Sequence, residues 1–284
     1  MKKAGFIGLG AMGHSMAGHL HAKGLLAVVG NRTVAKAQAF AAERGVHAAS
    51  AMADFACCDV VMLCVPMDAD VLANVDALAG VLKPGSVVVD HSTVSVDTAR
   101  MARDRLAAHG IGFLDAPVSG GVEGAKNGKL SVMVGGNADD LEKARTALEA
   151  YAARITHMGA SGAGQATKAV NQVLVAGINQ AVCEGLALGE KLGLDPDKLL
   201  PTLMSGAAAN WFLDKRGATM LRSEFAPGFK CEHLLKDLRI VREMARAAGV
   251  NATVIEQSLS DYAELVARGL GDADTSALIT LKRG

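Results

Sequence analysis

A chain of 284 residues with 50% apolar content can bury a substantial core and is long enough for two domains. Its 29 basic and 29 acidic residues balance, which argues against a nucleic-acid or polyanion partner. Five cysteines (Cys57, Cys58, Cys64, Cys183 and Cys231) show no CxxC, and the eight histidines no zinc-like spacing. That pattern predicts buried thiols in a reducing cytoplasm and no metal site.

Met1-Lys2-Lys3 imitates the start of a signal peptide, but Gly5, Gly8, Gly10 and Gly13 break the apolar run that would have to follow. The short apolar stretch 4–7 instead leads straight into Gly8-Leu9-Gly10-Ala11-Met12-Gly13, a G-x-G-x-x-G turn. The first glycine permits the tight turn, the second a close approach of backbone to a pyrophosphate, and the third close packing of helix on strand. A helix over 11–23, with Met12, Met16 and Leu20 on one face, and a second apolar run over 25–30 complete a βαβ unit. Gly8, Gly10, Ala11, Met12 and Gly13 are therefore candidate cofactor contacts. The tip of the second strand reads Asn31-Arg32-Thr33, without the acid that usually accepts the ribose hydroxyls of NAD. Arg32 would attract a 2′-phosphate, with Thr33 adding a hydroxyl and Asn31 a neutral contact. The tip predicts NADP as the preferred cofactor, with NAD as the alternative.

Further strands are expected at 60–65, 86–90, 112–115, 130–134 and 154–157, and helices at 34–44, 69–79, 96–109 and 139–151. This alternation predicts a largely parallel sheet with helices on both faces. From Gly164 onward strand-like runs vanish and helices are expected at 165–192, 196–205, 232–248 and 253–268. The reading is a dinucleotide-binding domain over 1–162 and a helical substrate and oligomerisation domain over 163–284. The apolar stretch 170–192 is interrupted by Asn171, Gln172, Asn179, Gln180 and Glu184, so no transmembrane span is expected.

Ligands of open α/β sheets lie across the carboxyl ends of the strands. Three loops there draw notice: Cys64-Val65-Pro66, Asp90-His91-Ser92-Thr93, and Asp115-Ala116-Pro117-Val118-Ser119-Gly120-Gly121. Val65, Pro66 and Thr93 are candidate cofactor contacts. Ser119, Gly120 and Gly121 join a hydroxyl to unobstructed N–H groups, which suits a small carboxylate. Lys168, with Asn171 and Gln172 at i+3 and i+4, puts an amine and two amides on one helix face. A desolvated amine there would be drawn toward a range useful for proton transfer.

The glycine turn, the Asp115-to-Gly121 loop, the stretch from Gly162 to Gln172 and Lys236-Asp237 occur in order over nearly the whole chain. Together they resemble the β-hydroxyacid dehydrogenase family, which includes 3-hydroxyisobutyrate dehydrogenases, tartronate semialdehyde reductases and glyoxylate–succinic semialdehyde reductases. The resemblance implies a Rossmann-type doubly wound parallel sheet, an all-helical C-terminal domain, an active site in the cleft between them, and homodimers or homotetramers. It makes Lys168 the catalytic lysine, and Ser119, Gly120, Gly121 and Asn171 substrate contacts. Lys236 becomes a second lysine beside substrate and cofactor. The expected reaction interconverts a small carboxylate-bearing semialdehyde and its hydroxy acid, running as a reductase. Gln172, where many relatives carry asparagine, is similar to the tartronate semialdehyde pattern. The alternatives are oxidation of 3-hydroxyisobutyrate or a related hydroxy acid such as serine, imine reduction, and a non-catalytic dinucleotide sensor. Retention of Lys168 weighs against imine reduction, and the set of Lys168, Asn171 and the Ser119 loop against the sensor.

Overall fold

The structure, a computed structural model, describes residues 3–284; Met1 and Lys2, the charged start of the leader-like segment, lie outside the described residues. The chain divides into two compact units, Met1–Lys168 and Ala169–Gly284.

The first unit runs β1 (Ala4–Ile7), α1 (Gly13–Ala22), β2 (Leu26–Gly30), α2 (Val34–Arg44), β3 (His47–Ala48), β4 (Val60–Leu63), α3 (Asp68–Ala79), β5 (Val87–Asp90), α4 (Val96–Ala107) and β6 (Gly112–Asp115). It continues through β7 (Val118–Ser119), α5 (Gly121–Lys126), β8 (Leu130–Gly136), α6 (Ala138–Leu148) and β9 (Ala152–Gly159). Strands β3-β2-β1-β4-β5-β6 lie in that order and are all parallel. This is the doubly wound order, with the strand sequence reversing direction between β1 and β4. The antiparallel β8 extends the sheet beyond β6. Consecutive β6 and β7 share one edge of it, and β9 takes the other.

The parity of the strand residues builds two cores. Phe6, Val60, Met62, Val87 and Val89 pack on one face with Met16, Leu20 and Phe40 of the helices. Ile7, Val61, Leu63 and Val88 pack on the other with Val71, Val75 and Leu106. A strand buried on both sides must be apolar at every position, which is why these segments read as unbroken runs rather than alternating ones.

The long helix α7 (Ala163–Lys191) contains the division between the units, which falls between Lys168 and Ala169. The second unit continues with α8 (Pro196–Met204), α9 (Trp211–Leu221), α10 (Cys231–Ala247), α11 (Thr253–Ala267), a 3-10 turn over Thr275–Leu278, and α12 (Ile279–Lys282). Its core gathers Leu186, Leu234, Leu238, Tyr262 and Leu278. Buried Asp274 ties it together: Oδ2 accepts from Gly228 N (2.9 Å) and Phe229 N (3.2 Å), while Oδ1 accepts from Ser276 N (3.1 Å).

Three expectations need correction. Val118 and Ser119, read as loop, form a strand, because Val118 pairs with Val132 and Ser119 with Ser131. Residues Trp211–Leu221, not read as a helix, form α9, capped by the Asn210 side chain accepting from Leu213 N at 2.9 Å. Gly217 interrupts the helical pattern in the sequence, but it stands where Leu200 of α8 packs closely. Residues 47–48 and the 3-10 turn Met52–Cys57 also add structure to a stretch for which no element was expected.

Candidate functional site

The glycine turn follows β1 at the point where the strand order reverses. Gly8 has φ +104°, and a side chain there would run into the carbonyl oxygen of Cys64 at the end of β4. A side chain on Gly13 would strike the Gly8 carbonyl oxygen, so this glycine sets how closely α1 packs on the turn. Gly10 differs: nothing lies within 4 Å of where its Cβ would be. No side chain caps α1, whose N-cap residue is Met12. A helix start with uncapped N–H groups behind an open glycine is a fitting cradle for a pyrophosphate. Ala11 and Met12 lie in this turn.

At the tip of β2 the three predicted residues do different things. Asn31 Oδ1 accepts from Leu9 N at 2.9 Å, and its Nδ2 donates to Thr33 O at 3.0 Å. Both ends of its amide therefore brace the glycine turn against the β2 tip. Thr33 is the N-cap residue of α2 but makes no side-chain capping bond. The side chain of Arg32 is 82% exposed and lies 3.5 Å from Asp70 Oδ1.

Two neighbouring loops are laced together. Val65 N donates to Ser92 Oγ at 3.0 Å, joining the segment after β4, where Pro66 follows, to the one after β5. Gln165 of α7 brackets Thr93: its Nε2 donates to Ser92 O (2.7 Å) and its Oε1 accepts from Val94 N (3.2 Å). Asp115, at the carboxyl end of β6, anchors the start of the same helix. Its Oδ1 accepts from Gly162 N (2.7 Å) and its Oδ2 from Gln165 N (3.0 Å). Burial pushes the Asp115 carboxyl above its usual range, and those backbone N–H groups pull it back.

Lys168 is buried, and its Nζ donates to Val118 O at 2.9 Å. The amine thus reaches the strand residue just before Ser119-Gly120-Gly121. Gly120 (φ +126°) and Gly121 (φ +61°) both occupy backbone conformations that disfavour side chains. They turn the chain from β7 into α5 and leave Ser119 half-buried. The first unit therefore brings together the glycine turn, the two laced loops, the Ser119 turn and Lys168 along the carboxyl side of its sheet.

The second unit carries the remaining predicted residues. Gln172 Nε2 donates to Asp237 Oδ2 at 2.7 Å, and Lys236 Nζ lies 3.0 Å from Asp237 Oδ1. Asn171 Oδ1 is buried without a hydrogen-bond partner among the described residues. Three residues with clear placement were not singled out from the sequence: Asp115, Gln165 and Asp237. Asp115 opens a quoted motif and Asp237 closes another, but a carboxylate's partners forty or more residues away leave no periodic signal. Among the described residues no group of three or more His, Cys, Asp or Glu is placed to hold a metal ion.

Residues 3–159 match the model of the NAD-binding domain of 6-phosphogluconate dehydrogenase. Residues 162–282 match the model described as NAD-binding of NADP-dependent 3-hydroxyisobutyrate dehydrogenase. The chain belongs to the β-hydroxyacid dehydrogenase family. It is 38% identical over 283 residues to an uncharacterised oxidoreductase of Shewanella frigidimarina, covering 98% of this chain and 97% of that one. It is 34% identical over 288 residues to the NAD-dependent L-serine dehydrogenase of Pseudomonas aeruginosa, covering 98% and 97%. The solved 3-hydroxyisobutyrate dehydrogenase of Mycobacterium tuberculosis, determined with L-serine, superposes with a TM-score of 0.90 at 32% identity and full coverage of both chains. The protein is accordingly an NAD(P)-dependent hydroxyacid dehydrogenase, and its first unit is the family's Rossmann domain. No helix among the described residues is long and apolar enough to cross a membrane.

Proposed function

We propose that this enzyme interconverts a small carboxylate-bearing semialdehyde and its hydroxy acid, prefers NADP(H), and works chiefly as a reductase. The observation that carries this reading is the buried Lys168 amine, donated to Val118 O beside the Ser119-Gly120-Gly121 turn. An amine next to a carboxylate-sized cradle suits a substrate with a carboxylate at one end and a carbonyl at the other.

Gly8, Gly10, Ala11, Met12 and Gly13 would hold the pyrophosphate, Arg32 and Thr33 the 2′-phosphate, and Val65, Pro66 and Thr93 the rest of the dinucleotide. The nicotinamide, when bound, supplies or accepts the hydride. Lys168 as an ammonium gives its proton to the carbonyl oxygen that becomes the alcohol; in the oxidative direction the neutral amine takes the hydroxyl proton. The Ser119 hydroxyl and the N–H groups of Gly120 and Gly121 bind the substrate carboxylate and fix its orientation. Asn171, whose amide oxygen lacks a partner among the described residues, and Lys236 complete the substrate contacts. The second unit is assigned to substrate selection and self-assembly into a homodimer or homotetramer. Exposed Val170, Leu174, Ile178 and Leu188 along α7 support the assembly.

A second reading, oxidation of a 3-hydroxy acid such as serine, is favoured by the names of the two relatives associated with L-serine. Steady-state assays of semialdehydes with NADPH, against hydroxy acids with NADP and NAD, separate the two. For either, Lys168→Ala should lower kcat by roughly 10²-fold or more, the scale of a lost acid–base group, with dinucleotide affinity nearly intact. Turnover close to that of the unaltered enzyme would remove Lys168 from the chemistry.

A further inference from the structure

The β2 tip has no acid of its own, yet the fold returns one to it from α3. Asp70, in the first turn of that helix, places Oδ1 3.5 Å from Arg32 Nη1. Its other oxygen, Oδ2, is buried with no hydrogen-bond partner among the described residues. That oxygen is closed off from solvent and fixes the carboxylate in place, so the acceptor offered to a ligand is Oδ1, the oxygen beside Arg32. The turn that carries Asp70 is anchored: Asp68 Oδ1 accepts from Ser95 N (2.9 Å) and Thr98 Oγ1 (2.7 Å), so Asp68 is committed and Asp70 is the carboxylate facing Arg32.

The ion pair itself is loose. The Arg32 side chain is 82% exposed and that of Asp70 27%, so solvent screens the attraction and little is lost when Arg32 turns away. The carboxylate stays where it is. In doubly wound folds an acid beside the second strand accepts from the adenosine 2′-hydroxyl and repels a 2′-phosphate. Here the acid comes from a different element, 38 positions further along the chain than Arg32.

We propose that Asp70 sets the cofactor specificity of this enzyme. It accepts a hydrogen bond from the adenosine 2′-hydroxyl of NAD(H), and it opposes the attraction of Arg32 for the 2′-phosphate of NADP(H), so that the site takes both dinucleotides. The proposal rests on assigning the β2 tip to the adenosine ribose. It explains how a tip reading Asn31-Arg32-Thr33 is compatible with NAD. A phosphate carrying nearly two negative charges is repelled by Asp70 when it meets Arg32 in this position, and Arg32 must turn away from Asp70 to relieve that repulsion.

The test is equilibrium titration of the full-length protein with NADPH and with NADH, without substrate, followed by fluorescence or calorimetry. Asp70→Asn removes the charge and keeps the shape; Asp70→Ser is a second, smaller variant. Both should tighten NADPH binding on the order of five- to tenfold at low salt, the scale of one exposed charge at close range. The gain should shrink as salt rises, and NADH binding should hold or weaken by about two- to threefold. Equal changes for both dinucleotides, or none for either, would overturn the role of Asp70. Arg32→Ala tests the underlying assignment separately: a loss confined to NADPH supports it. An equal loss of both dinucleotides defeats the 2′-phosphate reading of the tip, whatever the Asp70 variants show.

Discussion

Asp115 spends both carboxylate oxygens on the first turn of α7, one on Gly162 N and one on Gln165 N, so it fixes where the helix carrying Lys168 begins. A side chain on Gly164 would meet the Asp115 and Met133 carbonyl oxygens, so the helix start can come this close only as glycine. Asparagine at 115 keeps one acceptor but turns an NH2 toward a backbone N–H. Asp115→Asn should therefore destabilise the protein by about 1–3 kcal/mol, the cost of an unsatisfied buried donor. It should also lower kcat more than it raises KM, with dinucleotide affinity little changed, because α7 carries Lys168, the proposed proton donor. Thermal melts, steady-state kinetics and a dinucleotide titration check this; unaltered kcat would show that α7 does not depend on the anchor. Lys168 was legible in the sequence because lysine is conspicuous on an apolar helix. Asp115 and Gln165 were not, since their meaning lies in which distant backbone atoms they meet.

At the level of elements, the three glycines of the first turn separate cleanly by what surrounds them. Gly13→Ala drives a methyl into the Gly8 carbonyl oxygen and must push α1 away from the end of β1. Overpacking of this kind costs about 1–3 kcal/mol, and dinucleotide binding should fall with it. Gly10→Ala meets only open space and should leave the melting temperature unchanged, while weakening dinucleotide binding by roughly tenfold or more as the methyl takes up room for phosphate. Equal stability losses in both variants would contradict this division of labour. The parallel strands were readable because burial on both faces demands continuous apolar runs. Strand β7 was not: two residues carry no period, and only pairing with β8 makes Val118 and Ser119 a strand. Helix α9 was hidden by Gly217, a packing residue that resembles a breaker.

For the molecule as a whole, the response to acid should be set partly by one histidine. His91 is fully buried, with Nδ1 2.7 Å from Ala116 O and Nε2 2.7 Å from the Tyr151 hydroxyl. The carbonyl can only accept, so Nδ1 carries the proton and Nε2 accepts from Tyr151. Burial lowers the pKa of His91 to about 4, against a weaker upward pull from the Ala116 carbonyl. The unfolded chain then binds a proton that the folded one refuses. Stability contributed by neutral His91 is complete above about pH 6.5 and is lost as pH falls toward 4, at up to about 1.4 kcal/mol per pH unit. Partial desolvation also lowers the pKa of His233, whose side chain is half exposed, so the slope has a weaker second contributor. Denaturant unfolding of the protein and of His91→Gln at pH 7, 6 and 5 isolates the first: the variant should lose stability less steeply on acidification. Parallel slopes would exclude His91 as a source. The two-part architecture was legible at this scale from the disappearance of strand patterning. A buried His–Tyr pair sixty residues apart was beyond any local pattern.

The two hydrogen bonds of the Asn31 amide, one accepted and one donated, constrain any attempt to retarget this protein between nicotinamide coenzymes. The customary exchange would install aspartate at the end of β2, and at position 31 that carboxylate could still receive Leu9 N but would confront the Thr33 carbonyl with a like dipole. Whoever redesigns the pocket should leave that residue alone and alter charges on either side of it, because the brace of the glycine turn and the proposed selector of the ribose are separate parts.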